Sequence, residues 1–354
     1  MSKISLTVHD PENINPPINF LCTHQNHNSS NTSFKSLNII LTIEASMEIV
    51  TYEDVSDDQM TELTLTCFNH PYSKQHVVDM IEADPRLPRW GGELYAKEDE
   101  KVLGTVGLLF PRLKTKNCIE LTGGIRNVCT RPSASRKGVS TKLLNRAHEI
   151  MEEKGVRFSF LMTDKSNVAH NLYEKLGYRD ILAYPAAYKK MKSDLKSEEI
   201  ELKEEEDPEY IRKTYLKSVE GLTGLVVREE EFWEMAEARG WPKNENVRIA
   251  YKNKKRIGYL MLQGGRDQVI CEEMAVEDKK DLPSLLKGVE STYDKNYFVI
   301  KFVNQNYKDI LTDYGFNYYD DRWGQVLVKS FQEKLHLDEL GYEDTFHNGV
   351  YESF

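Results

Sequence analysis

The residues from Asn127 to Leu144 read NVCTRPSASRKGVSTKLL. A strand-like run ends near Thr130, a polar turn containing Pro132 follows, and Gly138 and Ser140 lead into a helical pattern. That order presents consecutive backbone N–H groups at the positive end of a helix, which suits a pyrophosphate. Gly138 carries no side chain to hold the phosphates away, and Arg136 and Lys137 bring positive charge to the rim. The spacing is neither the GxxxxGK[ST] loop of ATPases nor the GxGxxG dinucleotide fingerprint. Taken alone, a strand–loop–helix with one glycine is more often structural. A second stretch, DKSNVAHNLYEKLGY at 164–178, puts Tyr173 two turns into a helix. Leu172, Leu176 and Tyr178 can anchor that helix while Tyr173 points toward a cleft; a packed helix tyrosine is an equally ordinary reading.

The elements that must position these residues follow an α/β order. MEIVTY reads as a strand from Met47, and Asp54 or Ser56 can cap a helix over 57–68. A second helix is expected from Ser73, then two strands, GELYAKE and KVLGTVGLLFP, about the turn DEK. CIELTGGIRNVCT is read as one long strand, 118–130. A helix over 140–155 follows, with Leu143, Leu144, Ala147, Ile150 and Met151 on one face. VRFSFLM, the helix NVAHNLYEKLG and YRDILAYPAAYKKM complete a unit with a mixed sheet. Residues 211–330 repeat this order more weakly, with VRIAYKNKKRIGYLMLQ matching LYAKEDEKVLGTVGLLF and DQVICEEMAV matching the long strand. The expected domains are a poorly ordered extension over 1–46, a first unit over 47–191, and an acidic linker over 192–210. A degenerate second unit over 211–330 and a tail over 331–354 complete the chain.

Of the 354 residues, 40% are hydrophobic and 29% charged, enough apolar material for real cores. The formal charge of -10 offers duplex nucleic acid or an anionic membrane little to hold, and it tolerates a cationic amine. The five cysteines are few and scattered, which reads as reduced thiols in a cytoplasmic setting, with Cys118 and Cys129 as small buried strand residues. No run reaches the ~20 apolar residues of a membrane helix, and no signal peptide opens the chain. Cys22, His24 and His27 are loosely metal-like in spacing but lie in Asn- and Ser-rich sequence, so no metal is expected.

At these residues the chain resembles the GCN5-related N-acetyltransferases, the GNAT superfamily. Their acetyl-CoA segment reads [QR]-x-x-G-x-[GA] before a helix with a double leucine. Here the run is Ser135-Arg136-Lys137-Gly138-Val139-Ser140, with Leu143 and Leu144 after it. The glycine and the helix match; Ser135 and Ser140 depart from the pattern. The later stretch, Ala169 to Tyr178, matches A-x-x-L-Y-E-K-L-G-[FY] fully. Ser166 stands where the family often has Asn, with Asn167 one place late. The strand LTGGIRNVCTRP and the second, weaker copy resemble the enhanced-intracellular-survival type of tandem acetyltransferase.

The resemblance implies the acyl-CoA N-acyltransferase fold, a mixed sheet with splayed strands, in two tandem copies with the second degenerate. It implies acetyl-CoA as cosubstrate and direct transfer to a small-molecule or peptide amine in a ternary complex. The pantetheine arm is expected between the splayed strands, paired with backbone of Asn127, Val128, Cys129 and Thr130. The pyrophosphate is expected on Arg136, Lys137, Gly138, Val139, Ser140 and Thr141, with Ser166 and Asn167 bordering the cofactor. The N–H of Val128 is the expected donor to the thioester oxygen, and Tyr173 the general acid for the leaving thiolate. Glu120 is the first choice as base, with Glu93 and the Phe354 carboxylate as others. The second copy has acidic residues and Pro283 in VEDKKDLPSLL where Gly138 should be. It is expected not to bind CoA, but to wall the amine pocket or to build a homo-oligomer contact. A non-catalytic acyl-CoA-binding or assembly protein is the alternative.

Overall fold

A computed structural model describes residues 47–192, 199–205, 207–238, 246–332 and 338–341, with Thr345 and His347. The expected extension 1–46, part of the acidic linker, most of the tail and the Phe354 carboxylate lie outside the described residues. Glu48–Phe354 forms one unit of the chain.

The first half begins with β1 (Glu48–Val50), α1 (Asp57–Phe68) and α2 (Lys74–Ala83). Ser56 and Ser73 start the two helices, each hydroxyl accepting from a backbone N–H three residues on. β2 (Glu93–Glu98) and β3 (Lys101–Leu109) form the expected hairpin, with Asp99 at φ 51 in the turn. The expected long strand is instead two strands. β4 (Arg112–Lys114) and β5 (Ile119–Leu121) make a separate two-stranded sheet, and β6 (Gly123–Thr130) returns to the main one. The break falls at Thr122, whose N–H and hydroxyl both donate to the Pro111 carbonyl at 2.9 and 3.0 Å. α3 (Val139–Glu153), β7 (Phe158–Thr163), α4 (Val168–Lys175) and β8 (Arg179–Lys190) complete this half.

The second half runs β9 (Ile200–Lys203), α5 (Pro208–Ser218), α6 (Glu230–Ala238), β10 (Val247–Lys252), β11 (Lys255–Gly264) and β12 (Gln268–Val276). Then come α7 (Leu282–Thr292), β13 (Tyr297–Ile300), α8 (Lys308–Asp313) and β14 (Asn317–Ser330). Its first hairpin repeats the register of the other. Ala96 faces Gly104 and Ala250 faces Gly258, and in each case the next pair skips one residue, Leu103 or Ile257.

All strands but β4 and β5 join one sheet, ordered β1-β2-β3-β6-β7-β14-β8-β13-β12-β11-β10-β9. The order reads alike from both ends once the two halves are matched. At its centre the closing strands are exchanged: β14 lies between β7 and β8, and β8 pairs with β13. Val326, Leu327 and Val328 of β14 are fully buried, and two of them pack with Phe158, Phe160 and Ile181 of the first half. Each such side chain contributes about 1.5–3 kcal/mol on burial.

Residues 47–191 expressed alone therefore lack the strand between β7 and β8 and expose two sheet edges. The expected outcome is no cooperative thermal transition by circular dichroism, regained on co-expression with residues 192–354. A cooperative melt of the fragment alone speaks against the exchange.

Candidate functional site

β6 and β7 are parallel but pair at two positions, Gly123 with Ser159 and Gly124 with Phe160. Beyond these β6 runs on to Thr130 and β7 to Thr163, so a wedge opens between them. On its other side β6 pairs with β3 irregularly. Thr105 faces Cys129 and Gly107 faces Arg126, so Val106 stands opposite both Asn127 and Val128. Asn127 takes φ 51, the left-handed conformation that Asn tolerates better than most residues. This bulge places Val128 where the wedge opens.

The strand ends in a loop built for the helix beneath it. Arg131 is buried and donates through Nε to the Val102 carbonyl at 2.6 Å and through Nη1 to Glu62 at 2.5 Å. Pro132–Ala134 form a 3-10 turn, Arg136 has φ 64 and Gly138 φ 78. Nothing stands within 4 Å of where a Cβ of Gly138 would be, so the twist of the backbone, not packing, calls for glycine. Gly138 is the N-cap of α3 and offers no side-chain cap. The first bond to the Gly138 carbonyl comes from Lys142, so the N–H groups of Val139, Ser140 and Thr141 have no intrahelical acceptor. The Thr130 and Ser140 hydroxyls are 2.6 Å apart and tie the strand end to the helix start. Arg136 and Lys137 are exposed beside them.

Across the wedge, Asp164 accepts from the N–H and the hydroxyl of Ser166, and Asn167 caps α4 by accepting from Ala169. Tyr173 is buried on α4, edge-on to Tyr178 at 6.0 Å. Burial pushes its hydroxyl up to about 12, so it keeps its proton at neutral pH. Tyr178 is fixed by a buried chain of hydrogen bonds. Lys329 lies 3.2 Å from His148 Nδ1, and an ammonium can only donate. Nε2 of His148 therefore carries the hydrogen and donates to Tyr178 at 3.0 Å, and the Tyr178 and Ser159 hydroxyls are hydrogen-bonded at 2.6 Å.

The three carboxylates considered as bases fare differently. Glu120 lies on the separate hairpin, where Arg157 grips it at 2.8 and 2.7 Å. Arg157 precedes β7, so this pair sits at the closed end of the wedge, on the order of 20 Å of chain from Val128. The structure does not bring Glu120 to the open end. Glu93 lies at the bulge, but it is only 1% exposed. Phe354 is outside the described residues.

Two cysteine expectations are corrected. Cys67 at the end of α1 and Cys129 on β6 form a disulfide across 62 residues, and Cys118 is exposed rather than buried. A helix-to-strand pairing at that separation leaves no spacing signal. Among the described residues no group of His, Cys, Asp and Glu is arranged to hold a metal, and no helix is long and apolar enough to cross a membrane.

The second half has a matching wedge. β12 and β13 pair from Gln268 with Tyr297 to Cys271 with Ile300, and β12 continues to Val276. Side chains fill the space beyond. Arg228 donates to Glu273 at 2.6 Å and lies 3.7 Å over the Tyr215 ring, and Tyr259 donates to Glu273 at 2.7 Å. A cavity of about 20 Å³ remains, room for about one water, bordered by Glu273, Asn304 and the buried His347. The stretch after Leu222 reaches back to the first half. Lys114 N–H donates to the Leu225 carbonyl, Val227 N–H to that of Arg112, and Arg112 pairs with Glu229. A larger cleft, about 420 Å³ between β1, β2 and the last turns of α3, opens far from the start of that helix.

The match to known proteins follows this geometry. Residues 49–181 match the family model described as an acetyltransferase (GNAT) domain. No curated protein matches the sequence. Among solved structures, a GCN5-related N-acetyltransferase from Kribbella flavida is 14% identical with TM-score 0.58, over 80% of this chain and 70% of its own. One from Anabaena variabilis ATCC 29413 is 12% identical with TM-score 0.57, over 80% and 72%. Eis1 from Mycobacterium abscessus is 12% identical with TM-score 0.55, over 80% and 73%.

The buried imidazole gives a pH expectation. Desolvation first, then Lys329, holds His148 down to about 3 from 6.5. The unfolded chain thus binds a proton that the fold refuses between these values, so stability is full above pH 6.5 and falls as pH drops toward 3. The contribution is on the order of a few kcal/mol. His148→Gln keeps polar contacts without titrating, and its melting temperature should fall less between pH 6.5 and 4 than that of the wild type. Equal slopes would remove His148 from the account. The mixed, splayed sheet with its flanking helices is that of the GNAT acetyltransferase fold.

Proposed function

We propose that the protein transfers acetyl from acetyl-CoA to a primary amine, directly within a ternary complex. The observation that carries this reading is the continuous path from the Asn127–Val128 bulge to the uncapped start of α3, along one side of the β6–β7 wedge. The N–H groups of Val139 to Thr141, with Arg136 and Lys137 beside them, suit the pyrophosphate. Backbone from Asn127 to Thr130, no longer paired to β7, suits the amide-bearing pantetheine arm. Val128 N–H donates to the thioester oxygen as charge gathers there. The amine nitrogen bonds to the carbonyl carbon, the carbon–sulfur bond breaks, and Tyr173 gives its proton to the leaving sulfur. The surplus proton of the amine passes to water. Ser166 and Asn167 shape the turn before the tyrosine helix rather than reaching out from it.

The matched registers and the sheet order support two copies of one fold, 47–191 and 211–330, joined through 192–210 with closing strands exchanged. The second copy keeps the wedge but fills it with the Arg228–Glu273–Tyr259 cluster, so CoA binds in the first alone. Its stretch from Leu225 to Glu229 pairs with β4 of the first copy and joins the two copies, a tandem arrangement consistent with the enhanced-intracellular-survival type of acetyltransferase.

Acetyl-CoA offered with polyamines, aminoglycosides and peptides should release thiol with at least one of them. Tight CoA binding with no turnover of any amine would leave an acyl-CoA-binding protein instead. Tyr173→Phe should lower kcat on the order of 10²-fold while CoA affinity stays within about twofold. Equal loss of both removes Tyr173 as the acid.

A further inference from the structure

The bulge in β6 is held by a carboxylate two strands away. Glu93 on β2 accepts from Asn127 Nδ2 at 2.9 Å, and the same oxygen lies 2.9 Å from Arg126 Nη2. The Thr105 hydroxyl, 3.3 Å from its other oxygen and 2.9 Å from the Leu94 carbonyl, shares its one hydrogen between them. Gly107 makes the room. A Cβ there would stand 2.7 Å from Glu93 Oε1 and 2.6 Å from Arg126 Cγ, closer than such atoms approach.

Sheet stability alone does not call for this arrangement. Burying a carboxylate and a guanidinium is costly, and neither Arg126 Nε nor Arg126 Nη2 makes a hydrogen bond. The second half supplies an internal comparison. Val247 faces Met261 in the register where Glu93 faces Gly107, and both are buried and apolar. β12 also bulges, yet none of its residues has a positive φ. The carboxylate, the glycine and the left-handed residue occur together in the half with the open wedge and are all missing from the half whose wedge is filled.

We infer that Glu93 is a positioning residue: through Asn127 Nδ2 it holds Asn127 in the left-handed conformation, and so aims the Val128 N–H into the wedge. This rests on the acetyl-transfer reading. Being buried, Glu93 does not meet the amine, and its effect passes through the backbone of β6.

The test copies the second half. Glu93→Val should lower kcat about tenfold or more, with KM for acetyl-CoA within about twofold. Adding Asn127→Gly should restore kcat to within about threefold of wild type, because glycine adopts φ near 50 without a tether. It should not restore melting temperature, since Arg126 stays unpaired. A double variant as slow as Glu93→Val overturns the proposal. If Glu93→Val does not fold, Asn127→Ala removes the donor and leaves the Glu93–Arg126 pair. It should show the same loss of kcat, and an unchanged kcat overturns the proposal. Amide exchange needs no turnover. It should quicken across 124–130 and not across 158–163 in either single variant, and unchanged exchange overturns the inference even if wild type acetylates nothing. Wild type that binds CoA but turns over no amine counts against the acetyl-transfer reading instead.

Discussion

β7 gets its backbone partners from the far end of the chain. It exchanges two residue pairs with β6 and six with β14. A strand that leaves its neighbour must satisfy its N–H and C=O groups elsewhere or lose much of its stability. β14 bonds the opposite edge of β7 and so holds that strand in the sheet, while the groups β7 turns toward β6 beyond Phe160 are left facing the wedge. The second half uses the same device, with β8 beside β13. Each half thus supplies the strand that anchors the other's splayed strand. The geometry of the wedge in the first half is in this sense a property of the whole sheet.

The parts of the site that could be read from sequence are the local ones. Gly138, Arg136 and the leucines of α3 lie within one loop and one helix, and their spacing states the geometry directly. Ser56 and Ser73 were legible as caps because a hydroxyl three residues ahead of an N–H can do little else there. The hairpin order of the second half was legible from element order and a few apolar positions, and the facing pairs Ala96–Gly104 and Ala250–Gly258 match it. What stayed hidden depends on distance along the chain. The Cys67–Cys129 bridge spans 62 residues, and the contact of Glu93 with Asn127 joins strands 34 residues apart. Glu120 misled for a local reason. Thr122 breaks an otherwise strand-like run, and the Gly123–Gly124 pair that follows it was read as part of the strand.

The two halves differ in whether side chains occupy the space between the splayed strands. Both keep a splayed strand pair and a bulge. The difference lies in a few side chains: Glu93 and Gly107 against Val247 and Met261, and an open wedge against one packed with Arg228, Glu273 and Tyr259. The filled slot is well ordered, with a guanidinium over an aromatic face and two charge-assisted bonds to Glu273. Arg228 directly follows the stretch that pairs with β4.

The exchanged strand also sets a schedule for synthesis. β8 ends at Lys190 and β14 begins at Asn317, so the ribosome makes well over a hundred residues between them. At ~5–20 residues per second the first half waits roughly 6–25 s with β7 and β8 unbridged. During that interval the nascent chain carries two adjacent open edges rich in Phe, Leu and Ile, the kind of surface that recruits holding chaperones. The last of the described strands to leave the ribosome is therefore the one that closes the first half.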